Sequence, residues 1–228
     1  MKDKYSVLDN PAWSALNSQH REFALGSELA KRYQPDIVSF VGFAEPSEAA
    51  TASLDPLMKT GEQFFIIGDL PPLPDGWEIK NELACVQMVC QSPIQDPFTA
   101  DVEPLGEKNS REMYELVQLV MPAYYLPDTH RMGNYYGIRQ EGRLVAIAGE
   151  RMRTDNFSEL SAICTHPDFT GRKYAQQLIT HLVNRHFESG KIPFLHTGTT
   201  NERAIRLYEH MGFSIRREIF FRLTAKTK

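Results

Sequence analysis

The chain has 228 residues, 42% of them hydrophobic and 24% charged, enough apolar mass for one large core or two small ones beneath an ordinary polar surface. Its net charge of −4 argues against a general nucleic-acid binder, which is usually basic. No apolar run approaches the roughly 18 residues needed to cross a bilayer. The three cysteines, Cys85, Cys90 and Cys164, sit at unrelated spacings in apolar surroundings and read as reduced core residues. The first residues carry no apolar signal-peptide core, so a cytoplasmic protein is expected.

In chain order, residues 11–16 predict a short helix, with Asn10 as N-cap and Pro11 at its first position. Residues 36–43 are strand-like, residues 47–59 helical with Gly61 past their end, and residues 62–67 a second strand. The prolines of 69–76 (DLPPLPDG) exclude regular structure there. Residues 77–90 alternate as a long strand, with Val86, Met88 and Cys90 on one face. Residues 1–91 therefore read as a small α/β lobe without a catalytic constellation. Residues 92–101 (SPIQDPFTAD), with two prolines and little periodicity, read as a linker.

The second unit, 102–228, opens with a strand at 102–105 and a helix at 109–120, with Asn109 and Glu112 in capping-box spacing. Prolines break the pattern at 121–132, a loop of the kind that often carries function. Strands at 134–139 and 144–151, joined by the turn Glu141-Gly142, continue into a third antiparallel strand at 157–164. Then comes a small loop, Thr170-Gly171-Arg172-Lys173, and a helix whose apolar stripe is Ala175, Leu178, Ile179, Leu182, Val183 and Phe187. Gly190 ends that helix, and residues 192–197 form the next strand. A second helix at 202–211 buries Ala204, Leu207 and Met211, and a strand at 214–223 completes the unit. Strand, loop, helix, strand is a βαβ unit. Its first turn aims unpartnered helix amides and two cationic side chains at one point, an arrangement suited to phosphate. An ordinary strand-to-helix turn would look similar.

Two motifs narrow this reading. Thr170-Gly171-Arg172-Lys173-Tyr174-Ala175 resembles the acetyl-CoA loop of the GNAT family of N-acetyltransferases, whose pattern is Q/R-x-x-G-x-G/A. Thr170 and Lys173 depart from it. Asn201, Ala204, Leu207, Tyr208, Gly212 and Phe213 match the family's N-x-x-A-x-x-L-Y-x-x-x-G-F segment without departure. Pro193-Phe194-Leu195-His196 resembles the branch of glycine N-acyltransferase-like proteins, whose N-terminal half is a degenerate copy of the same fold. The resemblance covers 102–223. It implies a mixed α/β GNAT acyl-CoA N-acyltransferase fold, a mixed sheet with flanking helices preceded by a smaller α/β lobe. It further implies an N-acetyltransferase acting on a small amine or amino-acid-like acceptor with acetyl-CoA as co-substrate and no metal, as a monomer or homodimer.

The same resemblance implies roles. Backbone of Ile163, Cys164 and Thr165 would hold the pantetheine, and Gly171, Arg172, Lys173, Tyr174, Ala175 and Gln176 the phosphates. Asn201 would bond the pantetheine arm, or simply cap its helix. Tyr208 is the candidate acid for the leaving thiolate, because a phenol near pKa 10 stays protonated at rest; otherwise it is core. Glu159 is the candidate base, sharing a strand face with Ser161 and Ile163 while Leu160, Ala162 and Cys164 point to the core; its alternative is an ion pair with Arg151 or Arg153. Glu150 is the reserve base. The histidines show no metal spacing, and no phosphate-binding G-x-x-x-x-G-K-[ST] is present. A silent acyl-CoA-binding module of the same fold remains the rival reading, kept open by Thr170 and Lys173.

Overall fold

A computed structural model describes residues 3–95, 99–122 and 125–228. The first half runs α1 (Pro11–Leu16), β1 (Ala24–Gly26), β2 (Ala30–Tyr33), β3 (Phe40–Phe43), α2 (Glu48–Leu54), β4 (Gln63–Ile67) and β5 (Trp77–Cys90). The second runs β6 (Val102–Leu105), α3 (Ser110–Val120), β7 (Tyr135–Gln140), β8 (Arg143–Arg153), β9 (Phe157–Thr165), α4 (Tyr174–Glu188), β10 (Ile192–Gly198), α5 (Glu202–His210) and β11 (Phe213–Lys226). This is the mixed sheet with flanking helices that the motifs imply.

All eleven strands join one sheet, in the order β1-β2-β3-β4-β11-β5-β10-β9-β8-β7-β6. Each half contributes an antiparallel run, then a helical crossover to a parallel neighbour. α2 links β3 to β4, and α4 links β9 to β10. The last strands are exchanged. β5 leaves the first half to pair with β10, and β11 leaves the second to pair with β4. β5 and β11 then pair with each other along nearly their whole length. The sheet is therefore continuous across the 91/102 division, and β5 stands between two strands of the second unit.

Two strands escaped the sequence pattern, β1 and β2. Both are short, and Lys31 and Arg32 interrupt the apolar alternation of β2. Arg32 is nonetheless buried, because Glu62 lies against its guanidinium. The helix expected at 47–59 ends at Leu54 and passes into a 3₁₀ turn, Asp55–Leu57, where Pro56 lacks the amide a longer α-helix needs. Asn10 does not cap α1; its Nδ2 donates to the Phe43 carbonyl at 2.6 Å. Nor does Asn109 cap α3 with its side chain, although its Nδ2 does reach Glu112. The described part of the expected linker is pinned to α4. Asn184 brackets the Ile94 backbone, and Gln177 Oε1 accepts from the amides of Thr99 and Ala100. Residues 96–98 lie outside the described residues.

On β8, Ile147 packs towards α3, whereas Ala146 and Ala148 pack towards α4, so the two helices cover opposite faces. α4 delivers Leu178, Ile179, Leu182 and Val183 to its core, as its periodicity predicts. A further core around α1 includes Tyr33, Phe40, Phe157, Phe194 and Phe221, and it binds the two halves together. Among the described residues, no helix is long and apolar enough to cross a membrane.

Candidate active site

The site begins where two parallel strands part. β10 and β9 pair only through Ile192↔Phe157, Pro193↔Ser158 and Phe194↔Glu159. Beyond that apex, Leu195–Gly198 keeps its partners on β5, and Cys164 and Thr165 keep theirs on β8. The facing edges of β9 and β10 are left unpaired, a ready template for an extended ligand.

A bulge deepens the opening. Ile147 pairs with Cys164 but Gly149 with Ser161, so β9 carries one extra residue. Ala162 absorbs it at φ +51°. The bulge also breaks the strict alternation read from the sequence. Leu160 packs with the α4 core, but Ala162 and Cys164 pack with the α3 core. Leu160, Ser161, Ala162 and Ile163 all line a cavity of about 430 Å³ that runs through the split.

Tyr208, Asn201 and Ala204 reach this cavity from α5, and Val117 and Met121 from the end of α3. Because α5 borders the cavity, Ala204 and Leu207 are half-buried rather than core. Only Met211 of the three expected core residues is buried. Burial pushes the Tyr208 phenol up to about 12, so it stays protonated near neutrality. Its ring centroid lies 5.9 Å from that of Phe213. Asn201 Oδ1 accepts from Ala204 N at 3.2 Å, capping α5, while the residue still lines the cavity. The two roles weighed for Asn201 are compatible.

The phosphate-type loop joins the end of β9 to the start of α4. Gly171 has φ +79° and Lys173, which precedes α4, φ +59°. Lys173 occupies the position where the family pattern has glycine, and it adopts the left-handed conformation glycine would take. A non-glycine residue there costs roughly 1–2 kcal/mol. The first helical bond of α4 is Gln177 N to Lys173 O, at 3.1 Å. The amides of Tyr174, Ala175 and Gln176 thus have no carbonyl within the helix. Gly171, Arg172 and Lys173 are exposed, and the Arg172 guanidinium lies 5.0 Å from the centre of the Phe169 ring.

Glu159 stands at the apex, fully buried. Arg151 Nε donates to its Oε2 at 2.8 Å and Arg151 Nη2 to its Oε1 at 2.6 Å. His196 Nδ1 lies 2.7 Å from Oε1, and Met152 N donates to Oε2 at 3.3 Å. Burial pushes this carboxyl up, but the Arg151 charge and the hydrogen bonds from Arg151 and His196 outweigh it and hold it at about 2. A carboxylate so placed has no lone pair turned to an amine, and the geometry favours its ion-paired reading over its role as base. It ties β9 to β10 where backbone pairing stops. Gln87 Nε2 approaches the other ring nitrogen of His196 at 3.0 Å and also donates to the Leu8 carbonyl. Arg216 Nη1 donates to Gln87 Oε1, which fixes the amide's direction, so His196 Nε2 accepts from Gln87.

Glu150 lies outside the cavity. It accepts from Asn134 N, Asn134 Nδ2 and Ser158 Oγ, and His186 Nε2 is 2.6 Å from its Oε1. Burial raises this carboxyl, but the bond and charge of His186 and the Asn134 amide bring it to about 2. Its work is to fasten β8 to α4. Burial pushes the Cys164 thiol up to about 12 and Cys85 to about 11, so neither is poised as a nucleophile. Sequence spacing could not pair His196 with Glu159, 37 residues away; only the β9–β10 register does so. Among the described residues, no group of three or more His, Cys, Asp or Glu side chains is placed to hold a metal ion.

A mixed sheet whose parallel strands part beside a glycine loop and helix start defines the fold of the GNAT N-acetyltransferases. The FR47-like protein family model matches residues 135–221, from β7 into β11. A solved GNAT-family protein from Novosphingobium aromaticivorans is 33% identical, with 97% of this chain and 99% of that one covered and a TM-score of 0.88. The chain belongs to the GNAT family. A GCN5-related N-acetyltransferase from Kribbella flavida, 15% identical over 94% of this chain and 93% of its own, shares the fold with a TM-score of 0.61. No curated protein sequence matches the chain.

Proposed function

We propose that this protein transfers an acetyl group from acetyl-CoA to the amine of a small, amino-acid-like acceptor by direct attack in a ternary complex. The parting of β9 and β10 over a cavity that contains Tyr208 carries this reading. Pantetheine lies along the unpaired edge of Ile163, Cys164 and Thr165, with Asn201 on the opposite wall. Pyrophosphate takes the amides of the 171–176 turn, and Arg172 and Lys173 meet the outer phosphates. The left-handed Lys173 supports this, because the departure from glycine leaves the turn's shape intact.

The amine lone pair attacks the thioester carbonyl carbon, forming the C–N bond. The C–S bond breaks with its electron pair on sulfur, and the Tyr208 phenol protonates the thiolate. The amine's surplus proton passes to water in the cavity, since both oxygens of Glu159 are engaged by Arg151, His196 and Met152. Tyr208 regains its proton from solvent. The repeated order of strands and crossovers supports reading the first half as a degenerate copy of the second, as in glycine N-acyltransferase-like proteins.

The test is thiol release from acetyl-CoA across an amine library, beside calorimetric titration with CoA. Turnover with at least one amine is expected. CoA binding without turnover on any amine would instead favour the silent binding module.

A further inference from the structure

Besides Tyr208 and Asn201, the cavity presents the polar side chains of Arg151, Ser161, His196 and Thr197, and one stretch of its wall is apolar. Leu83 and Cys85 of β5, Val117 and Met121 of α3, Tyr125 and Phe221 form it. Burial keeps the Cys85 thiol protonated, so it counts as apolar lining. The cationic side chain among the lining residues is Arg151, at 9% exposure.

Arg151 commits one edge of its guanidinium, Nε and Nη2, to Glu159. Among the described residues, Nη1 has no hydrogen-bond partner, and it is not sealed away from solvent. Guanidinium carries five N–H donors in a fixed fork, so the end-on edge of Nη1 and Nη2 keeps two parallel donors. The molecule shows that one guanidinium can serve two carboxylates in this way. Arg139 gives Nε to Glu103 at 2.6 Å, and Nη1 and Nη2 to Glu112 at 2.8 and 2.9 Å. A bidentate guanidinium edge that lines a cavity selects a planar anion.

The geometry points to an acceptor that carries a carboxylate for the end-on edge of Arg151 and an apolar side chain for the wall built by β5, α3 and β11: an α-amino acid with an apolar or aromatic side chain. This rests on the acetyltransferase reading and specifies its acceptor. Arg151 is then the specificity-determining residue. β5, supplied by the first half of the chain, shapes the pocket through Leu83 and Cys85. The bond changes are those of the acetyl transfer above, and the carboxylate takes no part in them.

Product analogues give a test independent of turnover. N-acetylphenylalanine, its amide, N-acetylglycine and N-acetyl-2-phenylethylamine are titrated calorimetrically into protein saturated with CoA. N-acetylphenylalanine should bind about 10-fold or more tighter than the amide and than the analogue without a carboxylate. It should also bind at least about 10-fold tighter than N-acetylglycine, which lacks the apolar body. In Arg151→Lys, which keeps a charge opposite Glu159 but lacks the fork, the carboxylate preference should fall to about 2-fold or less while CoA still binds. Equal binding of acid and amide in the unaltered protein would overturn the inference, whether or not the variant folds. So would a preference that survives in Arg151→Lys. Turnover of 2-phenylethylamine at the rate of phenylalanine, compared at equal free-amine concentration, would refute this inference alone. Absence of thiol release with every amine, alongside the expected binding order, would refute the transfer reading and leave the binding site standing.

Discussion

Both halves of this molecule carry an antiparallel run and then a helical crossover to a parallel neighbour, yet among the described residues the parallel strands part around a cavity in the second half. In the second half, the parallel pair β9–β10 comes apart after Phe194↔Glu159 and the gap becomes the cavity. In the first half, β3 and β4 are registered only at Phe40↔Phe65 and Val41↔Ile66, and the chain's own start fills the space beyond. A Cβ on Gly42 would sit 2.5 Å from Trp13 N, and one on Gly68 would sit 2.8 Å from the Asp9 carbonyl oxygen. The side chain of Asn10 takes a hydrogen bond to the β3 backbone at Phe43 that an extended ligand could otherwise use. The same arrangement of strands is thus a binding cleft when left empty and a packed junction when its own chain occupies it. Fold alone does not decide function; the occupant of the gap does.

The sharpest way to break this comparison is at the apex. Glu159→Gln leaves Arg151 buried without its counter-charge, and should cost about 3–5 kcal/mol in chemical denaturation. A base with no structural duty would lose activity but little stability. The pH dependence sharpens the same point. The Glu159 carboxyl is held at about 2 against an ordinary 4.5, so its stabilising effect is complete above the ordinary value. That effect is lost as pH falls from 4.5 towards 2. Denaturation midpoints measured down this range should drop in the unaltered protein, and less steeply in Glu159→Gln, where Glu150, Glu62, Asp9 and Glu112, each also held below its ordinary value, still contribute.

Tyr208→Phe comes next. Fold and CoA affinity should survive, and kcat should fall by about 10²-fold or more, roughly 2.7 kcal/mol, with little change in KM for acetyl-CoA. An unchanged kcat, measured where chemistry limits turnover, would reduce the tyrosine to packing against Phe213. In the filled half, Gly42→Ala pushes a methyl into the Trp13 backbone and should cost about 1–3 kcal/mol. Calorimetry should find CoA affinity nearly unaltered by it. The smallest effect belongs to Lys173→Gly. Relief of the left-handed strain should raise stability by about 1 kcal/mol, less the backbone entropy glycine adds. Destabilisation would mean that the Lys173 side chain holds the loop.

Much of the second half was legible in the sequence because its signals are local. The stripe of α4, the Glu141-Gly142 turn and the Asn201 to Phe213 segment each specify their element without distant partners. The first half reads poorly because its elements are short and their stability comes from across the sheet. Arg32 of β2 is buried against Glu62, 30 residues on, and the Leu57 carbonyl, 25 residues on. The placement of β5 between β10 and β11 has no local signature, since an alternating strand looks alike at an edge or a centre. At the site, motif matching located Tyr208, Asn201 and the 171–176 turn. It gave the Arg151 ion pair of Glu159 only as an alternative, and it missed the contact of His196 with Glu159 and the free edge of Arg151, because contacts between strands depend on register. It also missed the bulge at Ala162, where an ordinary residue takes a conformation that sequence alone would assign to glycine. The loop at 121–132 is docked on the first half through Thr129 Oγ1 and the Ile37 carbonyl; residues 123–124 lie outside the described residues.

Hydrogen exchange with and without saturating CoA tests the central claim most directly, because it reads both halves at once. Protection should rise at Leu160 to Thr165, at Leu195 to Gly198 and at the 171–176 turn. Phe40 to Phe43 and Phe65 to Gly68 should exchange as before. Protection in the β3–β4 segment, or none along β9 and β10, would contradict the assignment of the cofactor site to the open half.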